Sequence, residues 1–132
     1  MTALPTSVKG VVFHDGRVLL LLNERSEWDL PGGRPDPGED HRAALEREVR
    51  EETGLGVQVG EALDEHLFEV LPGVVVRILP FACRPTEPGE VRLSHEHLDA
   101  KWLPIDQLGD VVRGHPLPAC YRAAIRQAIC QP

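Results

Sequence analysis

The chain has 132 residues, 42% of them apolar, with 14 Lys and Arg against 21 Asp and Glu, for a net charge of −7. That length is one domain, expected over residues 1–132, with enough apolar side chains for a single core. An acidic chain without clustered cations lacks the footprint of a nucleic-acid binder; no apolar run nears the ~20 residues of a membrane span, and Met1–Lys9 lacks the pattern of a secretory leader.

In chain order, Val8–His14 and Arg17–Leu22 are β-rich runs around Asp15-Gly16, which predicts a hairpin with a tight turn. The segment Asn23–Glu39 holds Pro31, Pro35, Pro37, Gly32, Gly33 and Gly38 and is expected to be loop. A helix is predicted from about Asp40 to Thr53, with Asp40 as N-cap and Gly54 as left-handed C-terminal cap. Val57–Val59, Leu63–Val70 and Val74–Cys83 read as strands, with Pro80 making the last an edge or bulged strand. Pro85–His97 reads as polar loop, Ala100–Leu103 as a short strand and Pro104–Leu108 as a helical turn. Leu117, Tyr121, Ala124, Ile125 and Ala128 recur at helical spacing, so Pro116–Cys130 is expected to close the chain as an amphipathic helix. Two helices and five or six strands predict helices packed on a mixed β-sheet. Cys83, Cys120 and Cys130 are odd in number and lack Cys-x-x-Cys spacing, so reduced thiols in a cytoplasmic protein are expected.

The acidity is concentrated. Asp36–Glu52 holds seven acids and three bases, −4 of the −7. At 100° per residue, Glu51 lies about 60° to one side of Glu48 and Glu52 about 40° to the other, so three carboxylates share one narrow wedge of the helix. Like charges at these spacings destabilise a helix. A wedge that keeps three of them gains from a bound cation, and a hard divalent ion such as Mg²⁺, which takes oxygen ligands and shares substrate phosphates, suits it.

Upstream spacing sharpens this reading. Gly33, five residues, Glu39, seven residues, then Arg47-Glu48-Val49, any residue, Glu51-Glu52, any residue, Gly54-Leu55 matches G-x5-E-x7-R-E-U-x-E-E-x-G-U, with U aliphatic, at all nine defined positions. The segment resembles the Nudix box, and the flanks Trp28–Gly33 and Lys101–Leu108 are similar to those of the family. The resemblance implies an α/β/α sandwich with the mixed sheet between helices, and hydrolysis of a nucleoside diphosphate linked to another group. It implies Glu48, Glu51, Glu52 and the Gly32 carbonyl as metal ligands for Mg²⁺, with Mn²⁺ as substitute, and Glu48 also as general base. A Gly at position 32 admits close approach of metal or phosphate. Arg47 is expected to orient the acids, and Glu39 to tie the preceding loop to that network or to reach a metal through water. The implied substrate is a nucleoside triphosphate, oxidised or not, with ADP-ribose or a nucleotide sugar as alternative. Pro72, near a position where the ADP-ribose branch often has proline, is explained equally by a hairpin turn. A non-catalytic nucleotide sensor of the same fold is the competing class; such modules commonly lose box carboxylates, and none is lost here.

Outside the box, the resemblance points to Glu96, in Ser94-His95-Glu96-His97, as a further ligand or base. Arg25 is a candidate partner for a substrate phosphate. His95 and His97 are expected at the surface, Trp28 and Trp102 to pack beside the loop and late strand, and Phe13, Phe68 and Phe81 to pack in the core. The partner is thus a small nucleotide, with no nucleic-acid polymer and no membrane; a monomer and a homodimer are both compatible with the sequence.

Overall fold

The computed structural model describes residues 4–87 and 89–130. Within them the elements run β1 (Thr6–His14), β2 (Arg17–Asn23), β3 (Trp28–Asp29), β4 (Gly32–Gly33), α1 (His41–Thr53), β5 (Val57–Ala62), β6 (His66–Leu71), β7 (Val74–Pro85), β8 (His97–Pro104), a 3₁₀ turn at Ile105–Gln107, β9 (Val111–Val112), β10 (His115–Pro116) and α2 (Ala119–Ile129). The predicted hairpin forms: Asp15 and Gly16 take φ of 51° and 73°, the two positive values that a type I′ turn requires.

The sheet is mixed and runs β3-β2-β1-β7-β5, with β4 on β1, β6 on β7 and β8 on β2. Its central ladder is the parallel pair β1 and β7, with Val8 opposite Leu79 and Val12 opposite Cys83. All five residues Val18–Leu22 of β2 are buried. Successive side chains point to opposite faces, so an unbroken apolar run means that both faces are covered. Val18, Leu20 and Leu22 join Val11, Trp28, Ile78, Tyr121 and Ile125 in the core under α2. Leu19 and Leu21 join Val8, Val12, Leu45 and Val49 in the core under α1. The result is the expected α/β/α sandwich.

Helix α1 ends where the sequence places its caps. The Asp40 side chain accepts from the Ala43 N–H at 3.2 Å, and Gly54, with φ 76°, donates its N–H to the Arg50 carbonyl. The loop before β8 adds two bonds at the same end: Arg92 N–H to the Thr53 carbonyl at 2.7 Å and Ser94 N–H to the Glu52 carbonyl at 3.0 Å. These satisfy carbonyls that a helix C-terminus otherwise leaves open.

Three expectations change and one element is new. The Asn23–Glu39 loop contains two short strands: β3 pairs with β2 and β4 pairs with β1. Strand β7 is central, so of the two readings of Pro80, edge or bulged, the irregular one fits: both β5 and β6 shift register against it. Pro80 is tolerated because its carbonyl accepts from Leu63 N–H, so its missing donor faces the irregular junction where β6 hands over to β5. Strand β8 begins at His97, three residues before the expected strand, and is held along its length by β2. The β9–β10 ribbon carries no period-2 signal in the sequence and is recognised only by its pairing. Trp28 does pack as read, with its indole N–H donated to the Val112 carbonyl at 2.7 Å, and the Pro72-Gly73 turn, with Gly73 at φ 78°, serves the β6–β7 hairpin.

Candidate active site

Arg47 organises the acidic wedge. Its guanidinium grips Glu39 with two bonds of 2.8 Å, Nε to Oε2 and Nη2 to Oε1. Nη1 reaches Glu48 Oε1 at 3.1 Å and Glu51 Oε1 at 3.2 Å, and Asp36 stands 3.7 Å away. Glu39 also accepts the Asp36 N–H at 2.9 Å. A planar fork suits this arrangement, because it places parallel donors on one carboxylate and keeps others for the next. The bonds from Arg47 and the Asp36 N–H bring the Glu39 carboxyl down to about 2, and the carboxylates in turn raise Arg47. The Pro35–Glu39 loop is thereby tied to the helix.

Glu52 sits at the other edge of the wedge and is buried, 7% exposed. Its Oε1 accepts the Gly32 N–H at 2.6 Å, and His97 Nε2 lies 3.6 Å from its Oε2. Burial pushes the Glu52 carboxyl up to about 8, against the pull of the Lys9 ammonium and the Gly32 N–H. Burial also raises Glu48, opposed by its bonds to Arg47. Glu51 is the exposed member, with 58% of its side chain open to solvent.

The two glycines facing the wedge differ: backbone requires the first, and the second gives room to a side chain. Gly32 has φ 144°, and a Cβ there would lie 2.0 Å from the Val8 carbonyl oxygen, so the backbone of β1 excludes any side chain. At Gly33 a Cβ would lie 2.7 Å from Glu48 Oε2, so the missing side chain makes room for that carboxylate. Packing of the corner against β1 is thus a reason for glycine at position 32 in addition to the close approach expected from the sequence.

Other predicted residues fall further out. Glu96 is exposed on the turn before β8 and makes no hydrogen bond or ion pair among the described residues. Arg25 is exposed on the β2–β3 turn, with Nε 3.5 Å from Glu27. His97, expected at the surface, has only 7% of its side chain exposed and faces Glu52. Its strand starts early and its loop is bonded to the end of α1, which turns the ring inward. Burial lowers the His97 ring below its ordinary value, against the attraction of Asp29.

A second charged group lies beside Glu52 and escapes a motif-based reading. Lys9 and Asp29 are buried together, Nζ 3.0 Å from Oδ1, with the Tyr121 ring centroid 6.0 Å from Nζ. Burial pushes Asp29 up, yet Lys9 outweighs it and holds the carboxyl below its ordinary 3.8. The signal for this group was a lysine inside the apolar run of β1: a cation there must find a partner.

Among the described residues, no three acidic, His or Cys side chains close on one point. Glu52 is turned to the Gly32 N–H, while Glu48 and Glu51 are turned to Arg47. Wedge and corner nonetheless offer only oxygen donors, the set that hard divalent cations take.

Comparison with known proteins agrees with this geometry. The NUDIX domain model matches residues 4–124. A MutT-like protein of Streptomyces ambofaciens is 36% identical over 106 residues, 79% of this chain and 66% of that protein. The CTP pyrophosphohydrolase of Escherichia coli K12 is 32% identical over 100 residues, 72% of each chain. The crystal structure of the MutT protein of Methanosarcina mazei Go1 superposes with a TM-score of 0.80 at 28% identity, covering 95% of this chain and 92% of that one. A family match that spans nearly the whole length, on a fold and motif that agree with it, means that the chain belongs to the Nudix family of hydrolases, which act on phosphoric anhydride bonds.

Proposed function

We propose that the chain is a Mg²⁺-dependent pyrophosphohydrolase that cleaves a nucleoside triphosphate, oxidised forms included, or a related nucleoside diphosphate derivative, by attack of water on phosphorus. The observation that carries this reading is the placing of Glu48, Glu51 and Glu52 on one wedge of α1 against the Gly32-Gly33 corner, with Arg47 bridging two of them. The E. coli relative named as a CTP pyrophosphohydrolase supports the substrate class.

In this reading Glu48, Glu51, Glu52 and the Gly32 carbonyl hold the divalent ion, with Mn²⁺ as substitute. The room at Gly33, which a Cβ would close on Glu48 Oε2, suits that role. When bound, the ion offsets the charge of the diphosphate and makes a coordinated water more acidic. The protein groups do the rest. Glu39 holds Arg47, and Arg47 holds Glu48 and Glu51 against their mutual repulsion. Glu48 Oε1 is engaged by Arg47, and Glu48 is also the first candidate for the base that takes the proton of the attacking water. Glu96, exposed and next in the chain to His97, is the second candidate for ligand or base. Arg25 is proposed to meet a substrate phosphate. Phosphoryl transfer is largely positioning and electrostatics, so no nucleophilic Ser or Cys is required. The acidic chain supports a small nucleotide, rather than a nucleic-acid polymer or membrane, as partner. Three unpaired cysteines support a cytoplasmic location.

The test is a pooled substrate screen with Mg²⁺ and product analysis. Nucleoside monophosphate plus inorganic pyrophosphate is the expected outcome. AMP plus a sugar phosphate would move the assignment to ADP-ribose, and tight nucleotide binding without turnover across Mg²⁺ and Mn²⁺ would make the chain a sensor.

A further inference from the structure

Lys9 occupies an expensive position. It is 8% exposed, in the strand that pairs with both β4 and β7. Burying an ammonium costs several kcal/mol even when it is paired, and an apolar side chain of similar length does as well or better for stability. The contacts of Lys9 show what the charge serves. Nζ donates to the Leu30 carbonyl at 3.2 Å and stands 3.0 Å from Asp29 Oδ1, an ion pair outside hydrogen-bond alignment. Asp29 and Leu30 lead directly into the corner Pro31-Gly32-Gly33. That corner is fixed to β1 by Gly10 N–H to the Pro31 carbonyl at 2.8 Å, and in the ladder Lys9 stands opposite Gly32. Gly32 then gives its N–H to Glu52 at 2.6 Å. The chain of contacts is continuous: Lys9 to Leu30 and Asp29, through one turn of backbone to Gly32, and from Gly32 to Glu52.

We infer that Lys9 is a positioning residue for the carboxylate site: its ammonium locks the Asp29–Gly32 corner against β1 and so fixes where the Gly32 N–H meets Glu52. The inference rests on the reading that these groups hold a divalent ion. A partner shell of this kind acts on affinity for the ion and on turnover, because it sets the aim of ligands that it does not touch. Substrate recognition elsewhere is left intact.

The experiment compares wild type, Glu52→Gln, Lys9→Met, and the double variant Lys9→Met/Asp29→Asn. The double variant removes both buried charges together and so guards against a simple failure to fold. Mn²⁺ binding to the full chain is followed by electron paramagnetic resonance without substrate, beside kcat and KM with Mg²⁺ and thermal unfolding without metal. The double variant is expected to unfold cooperatively, to bind Mn²⁺ about 10- to 100-fold more weakly, and to lose kcat by a similar factor with KM little changed. Wild-type Mn²⁺ affinity and kcat in a folded double variant would overturn the role of Lys9 while Glu52→Gln still loses metal. Wild-type Mn²⁺ affinity in Glu52→Gln would overturn the metal reading itself, and the Lys9 inference with it.

Discussion

Helices α1 and α2 each lay a stripe on the sheet at the same spacing, and the stripes differ in chemistry. In α2 the positions are Tyr121, Ala124, Ile125 and Ala128, all buried. In α1 the equivalent positions are Leu45, Glu48, Val49 and Glu52. Half of the packing surface of α1 has been exchanged for carboxylates, and the loss is made good locally. Its N-terminus has a side-chain cap from Asp40, its C-terminus has Gly54 and two backbone donors from the loop before β8, and Arg47 ties its acids to the Pro35–Glu39 loop. Helix α2 begins at Pro118 with no side-chain cap bond among the described residues and relies on burial. A helix that carries chemistry on its packing face has to be held by its ends and its neighbours; a helix that only packs does not.

The largest effect that separates the two is on turnover. Glu52→Gln keeps an oxygen to accept the Gly32 N–H, so the fold survives, while kcat/KM with saturating Mg²⁺ falls by at least ~10³, about 4 kcal/mol of barrier. Circular dichroism and steady-state kinetics on the same sample check both halves. Unchanged activity would break the distinction between the helices. The mirror experiment is Ile125→Ala in α2, which removes a side chain with no exposed surface and is expected to cost about 3 kcal/mol of stability. Its kcat/KM, measured where the variant is still folded, stays at the wild-type value. A loss of activity there would mean that α2 takes part in the chemistry.

Arg47→Met tests whether the ties of α1 act on function or only on folding. Glu39, Glu48 and Glu51 lose their shared partner, so turnover is expected to fall about 10- to 100-fold. The melting temperature also falls, and added Mg²⁺ recovers part of it. If activity holds while the melting temperature drops, Arg47 belongs to the scaffold alone. The buried charges in the sheet between the two helices respond to acid. Asp29 lies beside both Glu52 and Tyr121, and Lys9 holds its folded-state carboxyl below 3.8. A depressed carboxyl contributes stability above its unfolded value and loses it as pH falls through the folded one. With Lys9→Met the main pull against burial is gone and the Asp29 carboxyl moves up, so its contribution changes sign: the variant loses stability at neutral pH, and its acid limb is shallower than that of wild type. Denaturant melts across a pH series read both, and an unchanged acid limb would remove Lys9 as its cause.

What could be read ahead of the structure follows from range. Helix α1, both its caps and the wedge depend on residues three to fourteen apart, and such spacings are written in the chain. For Glu39 the resemblance left two roles open, and the structure has the one that ties the loop to Arg47. The Lys9–Asp29 pair joins two strands that nothing local connects, and only its cost, a lysine inside the apolar run of β1, hinted at it. His97 was misplaced because the bonds that turn it inward come from backbone N–H groups of Arg92 and Ser94, which every residue type carries. Pro80 marks an irregular pairing rather than an edge, because a missing donor does not say on which side of the strand it falls.

The smallest predicted effect is the most selective. Asp40→Ala removes the bond to the Ala43 N–H, a cap worth about 1 kcal/mol, and Asp40→Asn keeps it. Fraying from that end reaches Arg42 and Ala43 first. Glu48, Glu51 and Glu52 lie in the later turns, pinned by Gly54, Arg92 N–H and Ser94 N–H. Asp40→Ala is therefore expected to lose stability in urea melts while kcat and the Mg²⁺ dependence stay unchanged. If the Mg²⁺ dependence shifts with the cap, the helix responds as one unit and its two ends are coupled. If it does not, the carboxylates are held without the N-cap, by the C-terminal clamp together with Arg47 and the Gly32 N–H.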